Sequence, residues 1–133
     1  MKKFYSCVDN LIPSPLSEQH LIIKNKAKQA GGSITAYASE EVRTAASQPW
    51  IYNKLKETPG LDGVIFFTAI QFIYGDCFNL KLFNKILRDN YEIHFARENL
   101  SFYKNKINKK ELDFLFSYSL IKHRKDEELT HLI

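Results

Sequence analysis

The chain has few of the residues that small proteins use as structural staples. Only two of its 133 residues are cysteines, Cys7 and Cys77, so a disulfide framework and a four-cysteine metal site are both excluded. No apolar run reaches the roughly 18 residues that a membrane-spanning helix requires. The segment after Met1 lacks the long apolar stretch of a secretory signal and turns polar at Asp9. We therefore expect one cytoplasmic domain over residues 1–133.

The composition that remains is typical of a globular domain with a modest basic excess. Hydrophobic residues make up 44% of the chain, which is enough to argue against disorder. The net charge is +4, but most lysines are spread over predicted helix faces. The densest basic segment, residues 104–110, is short. Nucleic acid binding requires clustered basic residues, so this dispersion disfavours nucleic acid as a partner.

The spacing of apolar residues predicts strands that alternate with helices. Strands are predicted over residues 3–8, 33–38, 64–67 and 91–96. Helices are predicted over residues 16–30, 49–58, 78–90 and 111–125. Val64–Phe67 is a continuous apolar run, as expected for a strand that helices cover on both faces. The sequence therefore predicts an α/β fold with three layers and a mainly parallel four-stranded sheet over residues 1–103, followed by a C-terminal helical tail over residues 104–133.

Two local features of this prediction concern helix ends and helix faces. Ser17 is a plausible N-cap for the first helix, because its hydroxyl could accept a hydrogen bond from a free backbone N–H. In the last helix the residues expected to face inward are Leu112, Leu115, Phe116 and Leu120. Cys7 and Cys77 are both expected to be small buried hydrophobes.

Ligands of parallel α/β sheets bind beyond the carboxyl ends of the strands. The four segments that follow the predicted strands are 9–10, 39–41, 68–71 and 95–98. His94 and Glu98 lie around the last of these ends, and an imidazole beside a carboxylate suits proton transfer near neutral pH. The alternative is a core histidine with Glu98 capping the next turn. Thr68, Gln71 and either Glu40 or Glu41 would add polar groups to the same pocket.

Motifs for phosphate or metal binding are missing. Gly31-Gly32 precedes a strand instead of following one, so it fits neither a dinucleotide loop nor a P-loop. The four histidines are scattered and form no His-x-x-x-His pair. We therefore expect neither a metal nor a cofactor.

Three segments, residues 19–27, 61–71 and 93–100, resemble the bacterial "sporadic carbohydrate cluster" family. Proteins of that family are encoded among genes for surface polysaccharide and O-antigen synthesis. The residues that fall on its motif positions are Gln19, Gln71, His94, Glu98 and one of Glu40 and Glu41. The resemblance implies a role in surface polysaccharide synthesis, but it does not imply a particular reaction.

The layout is also similar to the catalytic domain of serine recombinases. Gln19 keeps the position of the glutamine that opens the first helix of that domain. Pro15 stands where the nucleophilic serine belongs, and residues 69–76 contain none of the expected arginines. Without an arginine clamp, phosphodiester chemistry lacks its main electrostatic stabilisation. The resemblance therefore implies a resolvase-like, flavodoxin-like fold without DNA strand exchange.

Together these observations predict an accessory protein or small enzyme of bacterial surface carbohydrate (O-antigen or capsule) biosynthesis that binds or acts on a sugar or nucleotide-sugar. The side chains expected to bind the ligand are Gln19, Glu41, Thr68 and Gln71, and those expected to transfer protons are His94 and Glu98. The alternatives are a non-catalytic binding or regulatory module of the same pathway and a degenerate resolvase-like nucleic-acid-binding protein. Small parallel domains often associate, so we also expect a homodimer.

Overall fold

The computed structural model describes residues 1–38, 48–74 and 77–117. Its strands are β1 (Lys2–Cys7), β2 (Gly32–Tyr37), β3 (Gly63–Phe66), β4 (Ile73–Tyr74), β5 (Cys77–Phe78), β6 (Glu92–Phe95) and β7 (Leu100–Phe102). Its helices are α1 (Leu16–Gln29), α2 (Gln48–Glu57), α3 (Leu80–Arg88) and α4 (residues 109–117), with a 3-10 turn at Ala69–Phe72.

The central sheet has five strands in the order β2-β1-β3-β6-β7. The first four strands in this order are parallel, which confirms the four predicted strands and the α/β class. The fifth strand, β7, was not predicted and runs antiparallel to β6. Asn99 adopts a φ of 56° in the turn between them, a conformation that asparagine tolerates better than most residues. The tight turn therefore folds a three-residue strand back onto the sheet.

Helices cover both faces of the sheet, as the apolar run in β3 predicted. On one face α1 contributes Ile23 and Ala27 to a core with Phe4, Ile65 and Phe67. The other face packs against α2, α3 and α4, and its buried aromatic residues are Phe66, Phe72, Phe78, Phe83, Phe95 and Phe102. The alternating side-chain direction of a strand sends Ile65 and Phe66 to opposite cores.

The first helix begins at Leu16 as predicted, but its predicted N-cap and the predicted start of the third helix are wrong. Ser17 is not the N-cap of α1, because Pro15 precedes the helix and no side chain caps it. A fixed proline φ suits a helix entry, which places Ser17 inside the first turn. The third helix begins at Leu80 instead of Phe78, because Phe78 pairs with Ile73 in a small hairpin and the Asn79 side chain caps the helix.

The last helix is confirmed over residues 109–117, and its continuation to residue 125, including Leu120, lies outside the described residues. Leu115 is buried and Leu112 packs against the same core, as predicted. Phe116 was also predicted to face inward, which is wrong, because its side chain is 37% exposed and meets Phe78 edge-on. Within the described ranges, no helix combines the length and the apolar character that crossing a bilayer demands.

Candidate functional site

The carboxyl ends of three parallel strands lie level with one another. Cys7 at the end of β1 is opposite Phe66 at the end of β3, which is opposite Phe95 at the end of β6. Residues that follow these strands therefore share one edge of the sheet, where ligands of parallel α/β domains bind. The described members of the predicted site at this edge are Gln19, Thr68, Gln71 and Glu98.

Gln19 fastens the loop between β1 and α1. Its side chain is fully buried, and its Oε1 accepts a hydrogen bond from the backbone N–H of Asp9 at 3.0 Å. Its Nε2 donates to the backbone carbonyls of Asp9 and Ser14, both at 3.0 Å. Since both amide hydrogens are used within the loop, Gln19 holds the loop in place in this conformation.

Thr68 and Gln71 form a capping box around the short 3-10 turn after β3. The backbone N–H of Thr68 donates to Gln71 Oε1 at 3.0 Å. Gln71 Nε2 donates to the backbone carbonyl of Cys7 at 3.1 Å. Because Cys7 belongs to β1, Gln71 also ties the end of β3 to the neighbouring strand.

Glu98 joins this network from the turn after β6. Its carboxylate accepts hydrogen bonds from Thr68 Oγ1 at 2.6 Å and from the backbone N–H of Ala69 at 3.0 Å, and Arg97 lies 3.6 Å away. The carboxylate side chain is only 7% exposed. Hydrogen bonds to an ionised carboxylate are short and strong, so Glu98 fixes the geometry of this edge.

The structure thus brings Thr68, Gln71 and Glu98 into one network, with Gln19 bonded to the loop beside it. Each of these side chains bonds to the backbone or to another member of the network, so the network braces the strand ends. A role in ligand binding stays a prediction for all four residues. Glu41 and its alternative Glu40 lie outside the described residues.

His94 is not paired with Glu98. Its Nδ1 lies 2.8 Å from Ser101 Oγ, and its Nε2 lies 3.0 Å from Glu92 Oε1. The ring is fully buried, and this burial lowers its pKa against the opposing effect of the Glu92 carboxylate. Because β7 was not predicted, the position of Ser101 opposite His94 could not be expected from local sequence patterns. The side chain that orients the imidazole is therefore Glu92.

The two cysteines differ in their surroundings. Cys7 is buried, as predicted, and burial raises the pKa of its thiol well above the usual value. A thiol that resists ionisation is a poor nucleophile. Cys77 is exposed on β5, which corrects the prediction that it is buried, because Phe78 takes the inward-facing position of this two-residue strand.

An open groove of about 520 Å³ lies between α1 and β2, and we call it the α1–β2 groove. One helical face supplies four of its side chains at the spacing i, i+3, i+4, i+7, and strands β1 and β2 and the residue after β2 supply the rest. The residues that line it are Ser6, Ser17, His20, Leu21, Lys24, Ile34, Tyr37 and Ala38.

Ser6 is the most informative residue of the α1–β2 groove. It is 2% exposed, and its Oγ has no hydrogen-bond partner among the described residues. A buried hydroxyl without a partner costs free energy, so such groups are rare in native proteins. Sequence reasoning missed Ser6, although a small polar residue among the aromatic and apolar residues of β1 was a usable signal.

The rim of the groove carries a cation and an aromatic ring. Lys24 is exposed and forms no ion pair with any described residue. Tyr37 is 63% exposed, and its ring meets that of His20 edge-on at 5.8 Å. Within the described ranges, no three His, Cys, Asp or Glu side chains cluster as metal ligands would. The groove therefore offers hydroxyl, imidazole, ammonium and aromatic contacts to an organic ligand.

No protein-family model matches the sequence, and no curated protein matches it significantly. Among solved structures, the crystal structure of a resolvase family site-specific recombinase from Streptococcus pneumoniae is similar, with a TM-score of 0.61. The fold is resolvase-like. The match covers 98% of this chain and 94% of the recombinase chain at 14% identity. It confirms the fold that the recombinase resemblance implied, and at this identity it transfers no chemistry.

Proposed function

We propose that the chain binds a sugar or nucleotide-sugar in the α1–β2 groove, as an accessory protein or small enzyme of bacterial surface carbohydrate biosynthesis. The pathway comes from the sequence resemblance, and the location comes from the groove. The groove adds the neighbouring face of α1 to the predicted ligand contacts, and Gln19, Thr68 and Gln71 brace the strand ends beside it.

The unpartnered hydroxyl of Ser6 is the observation that carries this proposal. Ser6 points toward α1, because Phe4 and Val8, two residues away on either side, both belong to the core beneath that helix. The hydroxyl therefore lies at the floor of the α1–β2 groove. A ligand that supplies its missing partner gains a hydrogen bond without displacing one from the protein.

The surrounding groups suit a phosphorylated sugar. Ser17 and His20 can exchange hydrogen bonds with sugar hydroxyls, and the Lys24 ammonium can pair with a phosphate as a point charge. The exposed Tyr37 ring offers a flat apolar surface for a sugar ring or a base. A volume of about 520 Å³ falls within the usual range for small-molecule sites.

A thermal-shift panel of nucleoside diphosphate sugars tests the proposal, because a ligand of the native state raises the unfolding temperature. For the member that binds, we expect Ser6→Ala to weaken affinity about tenfold, which corresponds to ~1.4 kcal/mol. The same change removes a buried polar group without a partner, so the stability of the free protein should stay constant or rise. Titration calorimetry and urea unfolding measure the two quantities.

The matched variants Lys24→Gln and Lys28→Gln distinguish a ligand contact in the groove from a nonspecific effect of losing one positive charge. Both lysines are exposed on α1, but only Lys24 lines the α1–β2 groove. We expect Lys24→Gln alone to weaken binding. A panel without any thermal shift, or equal affinities for Ser6→Ala and the unchanged protein, would remove the proposal.

A second candidate function is that of a resolvase-like nucleic-acid-binding protein without recombinase activity. The fold match over nearly the whole chain favours it. So does a second groove, of about 530 Å³, at the opposite end of the strands, whose lysines are Lys2, Lys104 and Lys106. Against it, Pro15 replaces the expected nucleophile and the turn after β3 contains no arginine.

A further inference from the structure

Three polar side chains, those of Glu92, His94 and Ser101, lie on the α1 side of the sheet. Their position follows from the alternation of side chains along β6 and from the pairing of β6 with β7. Glu92 and His94 are two residues apart on β6, so both side chains point to the same face. Ser101 on β7 is directly opposite His94 in the antiparallel pair. Opposed residues in such a pair have neighbouring side chains. The backbone therefore aligns Glu92, His94 and Ser101 in one row.

The row forms a continuous hydrogen-bonded chain with a defined direction. Glu92 Oε2 pairs with Lys2 Nζ at 2.8 Å, and Glu92 Oε1 lies 3.0 Å from His94 Nε2. An ionised carboxylate only accepts hydrogen bonds, so the neutral imidazole carries its hydrogen on Nε2. The Nδ1 lone pair, 2.8 Å from Ser101 Oγ, then accepts the serine proton.

Aromatic side chains pack against the His94 imidazole, whereas the Ser101 hydroxyl is partly accessible to solvent. The rings of Phe4 and Tyr103 meet the His94 ring edge-on at 5.2 Å and 5.9 Å. His94 is fully buried, whereas Ser101 is only partly buried on β7, the edge strand of the sheet. Burial lowers the pKa of His94 and keeps the ring in its basic, neutral form near pH 7.

A nucleophile beside a base that a third group orients is the arrangement of serine acyl-transfer enzymes. We infer that Ser101 is an activated nucleophile toward carboxylic esters, with His94 as its general base and Glu92 as a positioning residue. This inference is independent of the α1–β2 groove.

In the proposed step, Ser101 Oγ attacks the ester carbonyl as its proton moves to His94 Nδ1. The ester C–O bond breaks, and the leaving alcohol takes this proton. Water then hydrolyses the acyl-serine and regenerates the hydroxyl.

A cation on the same side of the sheet can offset the charge of the tetrahedral intermediate. Lys26 Nζ donates to Asn99 Oδ1 at 2.8 Å, and Asn99 precedes Ser101 by two residues. Lys26 is 8% exposed, and its charge helps to lower the pKa of His94. Partly buried charges act more strongly than solvated ones.

The test is covalent labelling of the full chain with a fluorophosphonate probe, followed by peptide mass spectrometry. We expect one phosphonyl adduct, on Ser101, and an acetyl adduct at the same residue after p-nitrophenyl acetate is added. Ser101→Ala should remove both adducts. The matched control Ser33→Ala, at an exposed position of β2 without a neighbouring histidine, should change neither.

His94→Gln should slow labelling by about 100-fold or more, the usual contribution of a general base. Glu92→Gln should move the pH midpoint of labelling downward, because the Glu92 charge raises the pKa of His94. A purely structural Glu92 would leave the midpoint unchanged. Absence of an adduct on Ser101 in the unchanged protein overturns the inference without any variant, and so does labelling of a folded His94→Gln protein at the original rate.

Discussion

At the scale of residues, His94 is a buried titratable group whose protonation is coupled to folding. Burial is the largest cause of its lowered pKa, the charges of Lys26 and Lys2 lower it further, and the Glu92 carboxylate opposes them. In the unfolded chain the imidazole returns to its ordinary pKa of about 6.5. Between the two values the unfolded state binds more protons, so the free energy of unfolding increases with pH in this interval.

We therefore expect the stability that His94 contributes to be present above about pH 6.5 and to be lost as the pH falls through and below that value. Urea unfolding at a series of pH values between 8 and 5 measures this loss. His94→Gln should flatten the part of the profile that lies below about pH 6.5. Ser33→Ala, at an exposed position of β2, is the control and should keep the slope. Equal slopes in all three proteins would show that His94 protonation is not linked to folding.

At the scale of elements, β3 and β6 approach each other closely at one residue pair. Gly63 is opposite Glu92, and a Cβ atom at Gly63 would lie 2.5 Å from the backbone oxygen of Glu92. Backbone atoms in a sheet cannot yield as the end of a flexible side chain can. Glycine at this position therefore sets both the pairing of the strands and the position of Glu92 beside Lys2 and His94.

Gly63→Ala should destabilise the protein by about 1–3 kcal/mol, the usual cost of inserting an atom into a packed region. The midpoint of urea unfolding measures the effect. Ser33→Ala, at an exposed strand position, should stay within about 0.5 kcal/mol of the unchanged protein. A Gly63→Ala protein as stable as the control would contradict the close approach of β3 and β6.

At the scale of the whole molecule, the two grooves lie at opposite ends of the strands and differ in charge. The α1–β2 groove carries Lys24 near the carboxyl end of β1 and β2, whereas the second groove carries three lysines near the amino ends of β1 and β6. Glu92 neutralises Lys2 in that second groove. Lys104 and Lys106 form no ion pair with the residues that the structure describes, and two lysines make a small electrostatic footprint for a polyanion.

We therefore expect no binding of duplex DNA in a fluorescence-anisotropy titration, even at low salt. The resolvase-like alternative requires the opposite outcome, with an affinity that falls steeply as salt rises. In that case Lys104→Gln and Lys106→Gln should weaken binding and reduce the salt dependence, whereas Lys28→Gln on α1 should not. Such a result would favour the nucleic-acid-binding function over the binding of a sugar or nucleotide-sugar.

Much of the fold could be predicted because its signals are local. The continuous apolar run of β3 and the 3.6-residue spacing in α1 and α3 are readable from neighbouring residues. The hairpin that takes Phe78 out of α3 was missed, because pairing with Ile73 overrides the helical spacing of Phe78. For the site, sequence reasoning found the edge residues Thr68 and Glu98, but it could not show that they bond to each other.

The α/β class, the alternation of strands and helices, and the absence of a cysteine framework could be predicted from the amino-acid sequence, since each depends on composition or on local periodicity. Which side chains meet depends on how the elements pack. Ser101 lies opposite His94 because β7 pairs with β6, and no local pattern in the sequence predicts β7. Ser6 lines the α1–β2 groove because α1 packs across that face of the sheet. Both outcomes depend on contacts between residues far apart in the chain, and such contacts form only when the elements pack.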